Sequence, residues 1–327
     1  MGEKSLLCIY ILQILHRYSS EKCKLRQTDI VQYLEHDFGL RVNRNTVSRY
    51  IQELKRHGFI NGERGIYLIR LFTNYEIKML CDTLMYSQAI PQKNVREIAE
   101  KLMELSEPGF RKHLVKTYGL DKVWHVENEK IGEIIEQIGE AIDGCRKIEI
   151  TSCKYSMDGQ LIPSGVRIVD PYFIVIEKSR YYLLCYSGRN DVEPRRIDRI
   201  CSVRILEKPR MEINKIPKYS NHNFRLSQYM REHIYMYTGE EERITIRINS
   251  ENIGDFIDWY GKDYRVIEYP GSESSYAVIQ IRANINAVYF WALQYGQIAE
   301  VLCPESLRDK IRKGLEQMLD KYKKDLP

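Results

Sequence analysis

The sequence predicts a multidomain α+β protein: a winged helix-turn-helix, a helical segment, a small bent sheet or barrel, and a final α+β unit. Three observations predict it. A basic amphipathic helix, capped by Asn43 and stopped by Gly58, lies among shorter helices near the start. The apolar period changes from helical to alternating at Arg146. Net positive charge is confined to two separate segments: residues 1–72 hold 12 Lys+Arg against 7 Asp+Glu, and residues 144–210 hold 13 against 8. Residues 73–143 (9 against 13) and 211–327 (16 against 17) are acidic or near neutral, so a net charge of +5 conceals the pattern.

The domain at 1–72 is read from its helices. Leu7, Ile11, Ile14 and Leu15 stripe a first helix over about 4–18. Thr28 is placed to cap a second, Asp29 to His36, and Gly39 permits a tight turn. In the third, Val47, Ile51 and Leu54 make the inward face. That leaves Arg44, Asn45, Ser48, Arg49 and Gln52 for the other face, with side chains that reach phosphates and base edges of duplex DNA. Arg44, Asn45 and Arg49 are the candidate base readers, and Thr46 and Ser48 the candidate phosphate contacts. Asn61-Gly62 and Gly65 suit a hairpin tip, a wing that carries Arg64 to the DNA. A charged helix face is often merely solvated; the glycine-turn helix pair around this one makes the DNA-binding pattern more specific.

Residues 73–143 read as helices that link domains or make a dimer contact. Thr73 or Asn74 caps the first, Pro91 interrupts, and a last helix runs from about Glu129 to Asp143. Ordinary packing against a neighbouring domain explains the same pattern. Over 144–208, five β-rich runs in about 65 residues predict a small, strongly bent sheet or barrel. Residues 209–239 are a linker. Over 240–327, Ile244–Ile248 and Tyr276–Ile281 alternate like strands, while Ala287–Tyr295 and Pro304–Tyr322 look helical. This order gives a ferredoxin-like α+β unit.

Several motifs together resemble a known family. Tyr181-Tyr182-Leu183 stands where WYL domains have Trp-Tyr-Leu. Pro171-Tyr172 precedes it, and Arg195-Arg196-Ile197-Asp198-Arg199-Ile200 follows like the family's Phe-Arg-x-Asp-Arg-Ile. The departures are Tyr181 for Trp and Arg195 for Phe. The run from Trp291 to Arg308 resembles the family's C-terminal extension. The resemblance implies a WYL-domain transcriptional regulator whose central domain is an Sm-like β-barrel. It also implies a basic, aromatic-lined barrel face for a nucleic-acid or nucleotide-like effector. Carried over, the effector residues are Tyr155, Arg167, Tyr182, Arg196 and Arg199. Arginine forks bind phosphates at two points, and tyrosine rings stack bases at roughly 1–3 kcal/mol each. Against this, Tyr182 and Tyr186 share a strand face that can equally be core, and Asp198 can pair with either neighbouring arginine as a structural fork.

No phosphate loop, nucleophile elbow, His-Glu-x-x-His or paired metal ligands occur in the sequence. The expectation is therefore a non-enzyme with no cofactor, no metal and no catalytic residues. The eight cysteines show no zinc spacing, so reduced thiols are expected. No apolar run approaches the roughly 20 residues of a membrane span, and the first residues do not form a signal peptide. The expected protein is cytoplasmic, a homodimer, and bound to double-stranded DNA. Two other readings stay open: an accessory protein whose barrel holds single-stranded RNA or DNA, and a nucleotide-processing enzyme.

Overall fold

Helix α1 (Leu7–Tyr18) forms because Leu7, Ile11, Ile14 and Leu15 fall on one stripe, and all four are buried. The computed structural model describes residues 6–62, 65–110, 124–189, 191–220, 224–271 and 275–323. They belong to two units, Met1–Glu129 and Lys130–Pro327. The result is a mixed α+β protein with helices first and several antiparallel sheets after them.

In the first unit, α2 spans Gln27–Phe38. It starts before Thr28, the residue the sequence pattern selects as cap. The backbone N–H of Arg26 donates to the Asp29 carboxylate at 2.7 Å, so Asp29 closes the helix end instead. Gly39 ends it at φ +67°, in the left-handed region. Helix α3 (Arg44–Arg56) starts at Asn43, whose side chain accepts from the Asn45 N–H at 2.9 Å. Strands β1 (Ile60–Asn61) and β2 (Tyr67–Leu68) pair antiparallel, with Ile60 opposite Leu68. Ile11, Ile14, Leu15, Ile30, Leu34 and Val47 form one core at no more than 1% exposure. At about 1.5–3 kcal/mol each, these side chains hold the three helices together. Helix α4 (Asn74–Met85) has a reciprocal cap between Thr73 and Glu76. Helix α5 (Gln92–Glu104) follows Pro91 and packs Val95 and Ala99 against Met85.

In the second unit, α6 (Ile131–Asp143) buries Ile131, Ile134, Ile138 and Ala141 against a five-stranded antiparallel sheet. The strands are β3 (Arg146–Tyr155), β4 (Leu161–Glu177), β5 (Arg180–Tyr186), β6 (Glu193–Arg196) and β7 (Ile200–Pro209), in the order β6-β5-β4-β3-β7. The long β4 changes partner midway. Up to Val169 it pairs with β3, and from Asp170 onward with β5. The β4–β5 hairpin turns on Lys178 (φ +44°) and Ser179 (φ +58°), the pair of positive φ angles a two-residue hairpin needs.

After the short helix α7 (Leu226–Glu232) comes a second sheet. Its strands are β8 (Glu241–Asn249), β9 (Arg265–Glu268), β10 (Tyr276–Asn284) and β11 (Ala299–Cys303), with helices α8 (Ile253–Tyr260), α9 (Ile285–Gln294) and α10 (Glu305–Lys323). The sheet is antiparallel throughout, in the order β11-β8-β10-β9. Ile244, Ile246, Ile248, Ile279 and Ile281 turn one face toward Phe256, Trp291 and Leu307 of the helices. Two-residue alternation sends Arg243, Thr245 and Arg247 to the opposite face.

The expectation of free thiols is corrected at one pair. Cys153 of β3 and Cys201 of β7 are bonded as a disulfide, their Cα atoms 6.0 Å apart on neighbouring strands. Sequence separation hid the pair, since only the β3–β7 register brings it together. Among the described residues, no helix is long and apolar enough to cross a membrane.

Candidate nucleic-acid interfaces

On α3, inward packing of Val47 and Leu54 determines what faces out. At 3.6 residues per turn, Asn45, Arg49, Gln52 and Arg56 form the outermost ridge. Arg44 and Ser48 flank it on one side, while Thr46 lies on the other flank, about 160° from Ser48. Arg44, Asn45 and Arg49 are exposed; Thr46 and Ser48 are half-buried. The Arg49 guanidinium sits 5.4 Å from the Tyr50 ring. Among the described residues, neither Arg44 nor Arg49 makes an ion pair, whereas Arg56 reaches Glu53 and Lys55 the Gly62 carbonyl. Arg64 lies outside the described residues. Gln52 belongs to the ridge by its i+3 spacing from Arg49, a signal already present in the sequence.

The second candidate is on the five-stranded sheet. Tyr182 of β5 lies opposite Arg196 of β6 and opposite Val175 of β4. Arg180, two residues before Tyr182, shares its face. The Arg196 guanidinium donates to both oxygens of Asp198, at 3.0 and 2.6 Å. Asp198 is buried, with 2% side-chain exposure, and Arg196 retains 24%. Hydrogen bonding to Asp198 raises the pKa of Arg196. Burial lowers that of Arg180, and the nearby positive Arg196 lowers it further. Burial also raises the Tyr182 phenol, although Arg196 opposes this. Tyr155, Arg180, Tyr182, Arg196 and Asp198 thus lie within electrostatic reach of one another. This is a half-buried patch of tyrosine rings and guanidinium groups, chemistry suited to bases and phosphates.

Arg167 and Arg199 are placed differently. Arg167 is exposed on the first half of β4, opposite Ile150, and Arg199 is exposed on the turn before β7. Among the described residues, no hydrogen bond, ion pair or ring contact ties either to the cluster. Arg180 is the residue that sequence reasoning missed. Alternation from Tyr182 would have found it.

Residues 133–205 match the WYL domain family, and residues 240–319 match the WCX domain family. The chain therefore carries a WYL domain followed by a WCX domain. Its WYL domain contains α6, the five strands up to Ile205, and the Tyr182–Arg196 pair. No curated protein matches the chain. Among solved structures it is similar to proteasome accessory factor B/C (PafBC) of Arthrobacter aurescens, at 16% identity and a TM-score of 0.29. That match covers 97% of this chain and 49% of the other, so the chain spans about half its length. It is also similar to a CRISPR Cas-related protein, at 16% identity and a TM-score of 0.40, covering 98% and 85%.

A polar knot joins the WYL and WCX domains. Asp191, His233 and Glu241 bring ligand-type atoms within 4.8 Å of one another, a grouping that could hold a metal ion. Lys218 already stands among them, its ammonium 2.6 Å from Asp191 and 2.7 Å from Glu241. His233 Nε2 lies 2.9 Å from Glu241, and Tyr219 donates to Asp191 at 2.5 Å. Lysine supplies the positive charge a metal would bring, so the knot reads as a structural clasp.

Proposed function

We propose that this WYL-domain protein is a ligand-responsive, DNA-binding transcriptional regulator. In this reading α1–α3 and the β1–β2 hairpin act as a winged helix on duplex DNA, with Asn45, Arg49 and Arg44 toward the bases. The five-stranded sheet is an Sm-like barrel whose Tyr155, Tyr182, Arg180 and Arg196 receive a nucleic-acid or nucleotide-like effector. The WCX domain is the ferredoxin-like unit. The protein works as a cytoplasmic homodimer and performs no catalysis. One observation carries the effector reading: Tyr182 and Arg196 are register partners, with Arg180 on the same face as Tyr182. Stacking and phosphate-binding groups are therefore adjacent on a partly open surface.

The test is fluorescence anisotropy with a labelled single-stranded oligonucleotide, comparing the wild-type chain with R180Q/R196K. The reading expects about a tenfold or greater loss in the double variant, corresponding to about 1.4 kcal/mol or more. Unchanged affinity would place the effector elsewhere. If single strands bind but duplex from the gene's upstream region does not, an accessory nucleic-acid-binding role replaces regulation.

A further inference from the structure

Among the described residues, the four-stranded WCX sheet is covered by three helices on one face and by α7 alone, at one end, on the other. Helices α8, α9 and α10 pack on the isoleucine face. The other face presents arginines from three adjacent strands. Arg243 of β8 is directly opposite Arg282 of β10, and Arg265 of β9 is opposite Gln280 of β10. Like charges set directly opposite across a ladder destabilise a sheet. Glu232 offsets Arg282, so the unbalanced charge of the pair is that of Arg243, and an anionic ligand would balance it.

The arginines converge on a cleft of about 360 Å³ that α7 closes at one end. Two acids offset two of the cations there: Glu232 holds Arg282 at 2.9 Å and Asp263 holds Arg231 at 3.2 Å. Arg243 and Arg265 are exposed and make no ion pair among the described residues. Tyr260 also lines the cleft, and its buried hydroxyl has no hydrogen-bond partner among the described residues. Away from the cleft the same face continues through Gln280 and Thr245 to Arg247 and the half-exposed Tyr276. The Arg247 guanidinium lies 6.0 Å from the Tyr276 ring and is shared with Glu300. From Arg282 to Tyr276 the surface runs about 20 Å along β10 and about 10 Å across three strands.

We infer that this open sheet face is a second binding site, one for single-stranded nucleic acid. Arg243 and Arg265 take backbone phosphates at the cleft, and the Tyr276 end receives a base. A duplex is a poor fit, because its phosphates lie outside and its bases are stacked away from a flat platform; a single strand can present both at once. The site is distinct from the Tyr182–Arg196 patch and does not depend on it.

The experiment uses the full chain and a labelled oligo-dT of about twelve nucleotides, within the range such platforms occupy. R243Q/R265Q is measured alone and in the R180Q/R196K background, over several salt concentrations. Neither Arg243 nor Arg265 supports the fold, so thermal melts are expected to stay level or rise as the Arg243–Arg282 repulsion is relieved. The inference expects R243Q/R265Q, added to the R180Q/R196K background, to weaken the remaining binding about tenfold or more. It also expects the salt dependence to flatten by about 1.4, or about 0.7 for each lost phosphate contact. Unchanged affinity and slope in both backgrounds, from a chain that melts like wild type, would overturn it. A loss on R180Q/R196K alone would leave the WYL patch as the single-strand site and reject this one. A loss on R243Q/R265Q alone would support this site and reject the patch.

Discussion

Arg196 grips the buried Asp198 carboxylate at two points, with donor distances of 3.0 and 2.6 Å, while its own strand register sets it opposite Tyr182. One side chain thus has both a structural and a binding role, and two substitutions separate them. Arg196→Ala removes both guanidinium donors from a carboxylate that is 2% exposed. Breaking a buried pair costs about 3–5 kcal/mol, and the partial exposure of Arg196 reduces this to about 2 kcal/mol. Arg196→Lys keeps the charge and one donor, so its cost is about 1 kcal/mol. Urea unfolding of both variants checks the order.

The knot between the domains makes stability depend on acid. Burial alone would raise the pKa of Glu241, but hydrogen bonds from His233 and Lys218, and their charges, outweigh it and hold the group down to about 2. A carboxylate with a lowered folded pKa stabilises the protein above its unfolded value, near 4.5. That contribution disappears as pH falls through the folded value. Thermal melts should therefore lose stability between about pH 4.5 and 2, by about 3 kcal/mol from this group. Glu241→Gln should be less stable at neutral pH and flatter across that window. A wild-type and a variant with parallel acid profiles would show that the knot contributes nothing.

Helix α3 gives a graded expectation for duplex DNA. Arg49→Ala, on the outermost ridge, should weaken an upstream duplex by about 1–3 kcal/mol if it reads a base. Arg44→Ala, also turned toward the bases in this reading, should weaken the duplex by about 1–3 kcal/mol and relax specificity at its own position. Thr46→Ala, on the opposite flank, should have little effect. Anisotropy with the upstream duplex and base-substituted versions of it separates these outcomes.

Asn43 tests the start of the same helix without touching its outer face. Its side chain caps the Asn45 N–H at 2.9 Å. Asn43→Ala should destabilise the chain by about 1 kcal/mol, and Asn43→Gly by a few tenths. Circular dichroism melts provide the measurement.

The WCX core has an unusual centre. Trp291 is fully buried against Phe256, Tyr260 and Tyr295, and its indole N–H has no partner among the described residues. Trp291→Ala should cost about 3–5 kcal/mol. Trp291→Phe should cost much less, because the lost ring volume is offset by removal of an unsatisfied donor. A Phe variant as unstable as the Ala variant would contradict that.

Helix α3 was legible because the buried Val47 and Leu54, the partly buried Ile51 beside them and the Asn43 cap are local signals. The WYL and WCX domains were legible from motifs in a fixed order. Strand β9 was not: of its four residues, Val266 alone joins the core cluster. The β4–β5 turn carries Lys178 and Ser179 instead of the glycine or asparagine that announces such hairpins. The start of α2 was misplaced because Asp29, and not Thr28, receives the free backbone N–H. Arg180 follows from alternation, yet its nearness to Arg196 depends on β5–β6 register across a loop. The contacts of Lys218 with Asp191 and Glu241, and the Cys153–Cys201 bond, join residues far apart in sequence that no local period connects.

In a ligand-responsive regulator of the kind proposed, ligand at the WYL patch alters duplex binding by the N-terminal helices. The direct measurement is the affinity of the full chain for its upstream duplex with and without saturating single-stranded oligonucleotide. A shift of about 5–150-fold is expected in wild type and none in R180Q/R196K. Equal duplex affinity with and without oligonucleotide in wild type would contradict it.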